Sequence, residues 1–239
     1  MAENNYDSRL AQLERRRRKK RKLILKRIIC FLLLLGITAG AVFGGVKIYK
    51  SVKGGGNSSA KLEKVRAIKI PDWIDEQIIH LHNTARTGTE LDEVTNIVIH
   101  YVGNPNTTAQ NNRDYFDKAS TEVSSHFVVG LEGEIIQCVP LWEKSAASNW
   151  RNSDTISIEV CHPDDTGKFN DDTYNSVIKL ASWLLNELGL DESAVIRHYD
   201  ITGKICPKYF VEHEDAWSAF KDDVQNAREL STEETSENN

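Results

Sequence analysis

Two histidines and one cysteine are the residues of this 239-residue chain whose types and spacing suit catalytic chemistry. His100 closes the apolar run Ile97-Val98-Ile99, and His198 follows Val195-Ile196. If both runs are strands, alternation sets His100 on the face opposite Ile97 and Ile99. Cys206 stands eight residues after His198 and directly before Pro207, which biases Cys206 toward an extended backbone and keeps its sulfur out of a helix. Two imidazoles and a thiolate form a three-ligand set suited to Zn2+, with the fourth position left to water. A metal so held brings bound water to a pKa near about 7 and polarises a carbonyl, as amide hydrolysis requires.

Spacing alone leaves other readings open. A lone strand histidine is more often a satisfied structural residue, and a lone buried cysteine is usually inert. The chemistry also needs a base and a group to hold an oxyanion. Glu159 is a carboxylate in the otherwise apolar run Ile156-Ser157-Ile158-Glu159-Val160, a place that costs free energy unless the group is paired or working. A surface position on an edge strand is the alternative. Lys204 stands two residues before Cys206. An extended segment projects both side chains to the same side, bringing an ammonium to where an oxyanion would develop.

The elements that must position these groups follow from periodicity and turn chemistry. Asn96 to Val102 reads as a strand ended by the turn cluster Gly103-Asn104-Pro105-Asn106, and Thr108 caps a helix running to about Phe116. Ser125 to Val129 and Glu134 to Val139 read as a hairpin about Leu131-Glu132-Gly133, and Thr155 to Val160 as a further strand. From Asp172, Val177, Ala181, Leu184, Leu185 and Leu188 recur near the helical period until Gly189 closes the helix. Val195 to Tyr199 reads as a fifth strand, and a last helix covers about Glu214 to Ala227. Lys61 to Leu91 has no sustained periodicity and reads as an arm laid over the domain. This mixture indicates an α/β domain of about 170 residues on one sheet.

Charge divides the chain sharply. Residues 1–53 carry 14 Lys and Arg against Glu3, Asp7 and Glu14, a net of +11, which leaves the remainder with 16 against 32, a net of −16. So acidic a portion has no electrostatic footprint for a phosphate backbone, so no nucleic-acid partner is expected for the folded domain. The basic run Arg15 to Lys22, with Lys26 and Arg27, leads into an almost uncharged stretch from Ile28 to Val46, close to the roughly 20 residues that span a bilayer. A single transmembrane helix over 28–48 is expected, with the basic arm 1–27 cytoplasmic and the rest extracytoplasmic. A cleaved signal peptide ending near Thr38-Ala39-Gly40-Ala41 is the alternative reading, and nucleic-acid binding by the basic arm is another. A flexible linker follows over 49–66, then a catalytic domain over 67–228 and a disordered acidic tail over 229–239. Of the cysteines outside the span, Cys138 pairing with Cys161 would leave Cys206 as the odd thiol, and spacing alone does not fix that connectivity.

Four segments in order resemble the motifs of the type-2 N-acetylmuramoyl-L-alanine amidases, a family that includes phage amidase lysozymes and animal peptidoglycan-recognition proteins. They are Ile97-Val98-Ile99-His100-Tyr101, Ser125-His126-Phe127-Val128-Val129, Ser157-Ile158-Glu159, and Arg197-His198-Tyr199-Asp200 continuing to Lys204-Ile205-Cys206-Pro207. The likeness covers roughly Pro71 to Phe220 and is nearest the clostridial type. It implies an α/β fold with a central mixed β-sheet flanked by helices, and Zn2+ held by His100, His198 and Cys206 in a surface groove. It further implies Glu159 as general base, Lys204 on the oxyanion side, and as reaction the hydrolysis of the amide joining the lactyl group to L-alanine in peptidoglycan. Departures are visible. Ser125 stands where some members have tyrosine, and Lys144-Ser145-Ala146-Ala147-Ser148 lacks the histidine of the A-W-H-A-G segment of many relatives. His126, His162, Asn149 and Trp150 are candidates for lining the groove, with packing or surface roles as alternatives. A non-catalytic, membrane-tethered peptidoglycan-binding module is the rival to an enzyme, and a tethered scaffold is a third reading.

Overall fold

The computed structural model describes residues 61–81 and 84–237. The expected basic arm, the membrane span at 28–48 and the linker as far as residue 60 lie outside these. Among the described residues no helix is long and apolar enough to cross a membrane.

One six-stranded sheet organises the domain, in the order β1-β4-β3-β5-β2-β6. The strands are β1 (Asp75–Glu76), β2 (Asn96–Tyr101), β3 (Phe127–Val129), β4 (Ile135–Gln137), β5 (Thr155–Val160) and β6 (Val195–Arg197). β5 runs parallel to β2 and β3, β2 runs parallel to β6, and the β3–β4 hairpin is antiparallel. The expected mixed sheet is therefore present. Central parallel strands covered on both faces read as near-continuous apolar runs, and Ile97, Val98, Ile99, Ile156 and Ile158 are wholly buried.

One face of the sheet, through Ile97, Ile99, Ile156 and Ile158, joins the main core with helices α3 (Asp171–Leu188) and α6 (Glu214–Glu237). α3 forms where expected. Asn170 caps it by accepting from the Thr173 amide, Asp171 and Asp172 sit at the positive end of its dipole, and Gly189 ends it at φ 64°. Phe210 on the short helix α5 (Lys208–Glu212), with Trp217 and Phe220, locks α6 down, the Phe220 ring centroid lying 5.1 Å from Phe210 and 5.4 Å from Trp217. Truncating a buried phenylalanine of this kind costs about 3–5 kcal/mol. The opposite face carries a smaller cluster under α2 (Ala109–Phe116), including Val102, Phe116, Val128 and Cys138. Thr108 caps α2, as its sequence indicates.

Four expectations are corrected. Residues 61–67 form a helical segment, α1, that buries Leu62 and Val65 in the main core, so 61–66 are not linker. The arm that follows also builds structure: β1 pairs in parallel with β4, and Ile79 N–H donates to the Cys138 carbonyl at 2.9 Å. Arg86 pins the arm by gripping both Glu143 oxygens at 2.8 and 2.9 Å. The fifth expected strand stops at Arg197, whose N–H donates to the Asp200 carboxylate at 2.8 Å and so opens the short helix α4 (His198–Thr202). With no Gly or Pro to stop it, α6 continues to Glu237, through most of the tail expected to be disordered. Cys138, Cys161 and Cys206 are all free thiols.

Candidate metal centre and active site

The sheet brings three of the predicted residues to one point. His100 is the fifth residue of β2, and its side chain leaves the face opposite the main core, as alternation requires. His198 begins α4 directly after β6, the neighbour of β2. The chain then turns back so that Tyr199 N–H donates to the Cys206 carbonyl at 2.9 Å, which returns Cys206 to the side of His198. One ligand atom from each of His100, His198 and Cys206 lies within 4.8 Å of the others, and all three residues are buried. Cys206 Sγ is 3.8 Å from His100 Nδ1, and the imidazole centroids are 4.6 Å apart.

Polar partners occupy the far side of each ring. His100 Nε2 is 3.3 Å from Ser148 Oγ, and His198 Nε2 is 2.9 Å from Asn149 Oδ1. That leaves both Nδ1 atoms toward the cluster, and His198 Nδ1 is buried with no hydrogen-bond partner among the described residues. A buried nitrogen with a lone pair and no donor is costly in an apolar pocket and suits a metal ligand. Nitrogen, nitrogen and sulfur donors converging in this way fit Zn2+.

Glu159 is the register partner of His100 on β5, and its Oε1 is 4.0 Å from His100 Nδ1. β5 lies between β2 and β3, so Glu159 is not an edge-strand surface residue. Its side chain is 20% exposed, and its buried Oε2 has no hydrogen-bond partner among the described residues. The opening leads into a groove of about 330 Å³ lined by Asn104, Asn111, Asn112, Tyr115, Lys118 and Val123 beside Glu159. Lys204 is exposed on the loop before Cys206. Its ammonium is near enough for its charge to bear on Glu159, His198, His100 and Cys206.

Burial sets the protonation states. It pushes the Glu159 carboxyl up to about 8, with the Lys204 ammonium pulling the other way. Burial, then neighbouring His198 and Lys204, holds His100 well below the usual imidazole range, and burial with Lys204 lowers His198. Neutral imidazoles are what a cation needs. Burial and Glu159 together push the Cys206 thiol up to about 12. A bound divalent cation reverses that preference, since a coordinating thiol is deprotonated outright.

Other candidates part company with the site. His126 is wholly buried, accepting from Ser157 N–H at Nδ1 and facing the Glu143 carbonyl at 2.9 Å through Nε2. His162 is buried between the Val102 and Asp164 carbonyls. Both are packing residues. Trp150 is 69% exposed beside Asn149. Sequence reasoning missed Ser148 altogether and gave Asn149 only as groove lining. The signal was faint: Ser148 only closes the segment that stands where many relatives carry a histidine, and Asn149 follows it.

The profile of the family described as N-acetylmuramoyl-L-alanine amidase matches residues 90–209, a stretch that holds His100, Glu159, His198, Lys204 and Cys206. The chain belongs to the N-acetylmuramoyl-L-alanine amidase family. Within that family it is 32% identical over 168 residues to the N-acetylmuramoyl-L-alanine amidase BlyA of Bacillus subtilis (strain 168), covering 62% of this chain and 45% of that protein. It is 27% identical over 166 residues to the amidase CwlL of Bacillus licheniformis, covering 62% and 46%. The chain thus spans about half the length of the curated relatives it matches. In fold, it superposes on the catalytic domain of XlyA with a TM-score of 0.56 at 24% identity, covering 63% of this chain and 98% of that domain. A mutant endolysin from Bacillus subtilis gives 0.56 at 25%, covering 63% and 97%.

Proposed function

We propose that this chain is a zinc-dependent N-acetylmuramoyl-L-alanine amidase that hydrolyses the amide between the lactyl group of N-acetylmuramic acid and L-alanine in bacterial peptidoglycan. One observation carries the reading: His100, His198 and Cys206 converge within 4.8 Å beside a carboxylate that opens on a groove. The activity printed for the relatives BlyA and CwlL supports the choice of bond.

Zn2+, when bound by His100 Nδ1, His198 Nδ1 and Cys206 Sγ, supplies a Lewis acid that activates water and polarises the substrate carbonyl. Glu159 accepts the proton of the attacking water and returns it to the alanine nitrogen as the C–N bond breaks. Burial raises the Glu159 carboxyl in the metal-free chain, and a cation bound beside it would favour the ionised form that accepts the water's proton. Lys204 sets an ammonium beside the charge that develops on the carbonyl oxygen. The groove running from Glu159 receives the stem peptide, where Asn104, Asn111 and Asn112 offer amide donors and acceptors to its backbone.

The proposal extends to placement. Residues 28–48 anchor the chain as a single pass, with 1–27 cytoplasmic and the folded domain, which begins at residue 61, outside. A tethered hydrolase cuts wall only within reach of its linker. Metal analysis tests the core of the reading: the purified chain carries one zinc per molecule, and His198→Ala and Cys206→Ala each lose it. A chain that hydrolyses peptidoglycan at full rate with a strong chelator present refutes the zinc assignment.

A further inference from the structure

Ser148 and Asn149 are adjacent in sequence, yet each faces a different candidate ligand. Ser148 Oγ lies 3.3 Å from His100 Nε2 and Asn149 Oδ1 lies 2.9 Å from His198 Nε2. An amide oxygen only accepts, so His198 Nε2 must carry the hydrogen and Nδ1 must be the bare nitrogen. That Nδ1 is the buried atom left without a partner among the described residues.

The dipeptide is held firmly. Asn152 Oδ1 accepts from both Ala147 N–H at 3.2 Å and Ser148 N–H at 2.6 Å. Arg151 in turn grips Asp154 at 2.8 and 2.9 Å and reaches Asn96 Oδ1 at 2.6 Å, which ties the turn to the first residue of β2. Ser148 is wholly buried. Asn149 takes φ 55°, in the left-handed region that asparagine tolerates better than most residues. This backbone turn aims the Asn149 amide at His198.

We propose that Ser148 and Asn149 are positioning residues for the two metal-binding histidines: Asn149 fixes the tautomer of His198, and Ser148 orients the His100 ring through its remote nitrogen. They present the two Nδ1 lone pairs to the metal before it arrives. The inference rests on the zinc reading above and adds to it how the ligands are oriented. A hydrogen-bonded partner on the remote nitrogen orients the ring and raises its basicity, and losing one typically costs 10–100-fold in metal affinity. An amide oxygen does this more weakly than a carboxylate, so Asn149→Asp should strengthen the hold.

The test is zinc affinity of the full chain, by competition with a chromophoric chelator, for wild type, Asn149→Gly and Asn149→Asp. Glycine adopts the left-handed backbone freely, so it removes the amide without straining the turn. Melting of the metal-free forms checks that the fold survives. The expected result is about 10–100-fold weaker binding for Asn149→Gly, binding by Asn149→Asp equal to wild type or tighter, and Ser148→Ala weakened in the same direction as glycine. If wild type binds zinc tightly and Asn149→Gly matches it, the positioning role is overturned while the zinc reading stands. If wild type itself binds no zinc, both fall.

Discussion

His100 and Glu159 are register partners on adjacent parallel strands, with His100 Nδ1 4.0 Å from Glu159 Oε1. Their separation is set by the spacing of neighbouring strands in the middle of a buried sheet, not by a loop. In the proposed reaction a carboxylate fixed in this way would need no rearrangement to act as the base, because the backbone ladder has already placed it.

Glu159→Gln keeps the shape and hydrogen-bonding size of the side chain but cannot take a proton. Turnover on peptidoglycan should fall by about 10²–10⁴-fold while zinc content is retained, measured side by side on one preparation. Wild-type turnover with zinc fully bound would remove Glu159 from the role of base.

Lys204 is exposed and its side chain makes no hydrogen bond or ion pair among the described residues, so Lys204→Met should leave stability within about 0.5 kcal/mol of wild type. Its effect should fall on kcat, reduced about 10²–10³-fold as for loss of an oxyanion donor, with KM little altered. Steady-state kinetics that show a raised KM and an unchanged kcat would make Lys204 a substrate-binding residue instead.

His126 predicts a pH dependence of stability. Burial lowers it to about 4, against the opposing bond to the Glu143 carbonyl, whereas an unfolded histidine titrates near about 6.5. Between these values the unfolded chain binds more protons than the folded one, so stability is fully present above about pH 6.5 and is lost as pH falls toward 4. The loss is of the order of 3 kcal/mol at the low end. Urea unfolding of wild type and His126→Asn from pH 4.5 to 7 should show the steeper fall in wild type. Parallel curves would place the titration elsewhere.

Much of the site could be read from residues near one another in sequence. Alternation placed His100 away from Ile97 and Ile99, and a lone carboxylate among isoleucines marked Glu159. Contacts made only on folding were not legible. β1 is two residues long and gains its pairing from β4, so no run of β-formers announces it. His198 looked like a strand residue because Val195-Ile196 precede it, and only the Arg197–Asp200 cap turns the chain into α4. Ser148 and Asn149 act on rings 48 and 49 residues away, a separation that local pattern does not encode. Arg86 and Glu143, 57 residues apart, are joined by the same kind of long-range contact.

The most direct measurement is mass spectrometry of the products released from purified peptidoglycan by the zinc-loaded protein. The account predicts free stem peptides with L-alanine at their amino terminus, glycan strands with no new reducing ends, and loss of both effects in His198→Ala. Peptides cut within the stem, new reducing ends, or intact muropeptides despite bound zinc would contradict it.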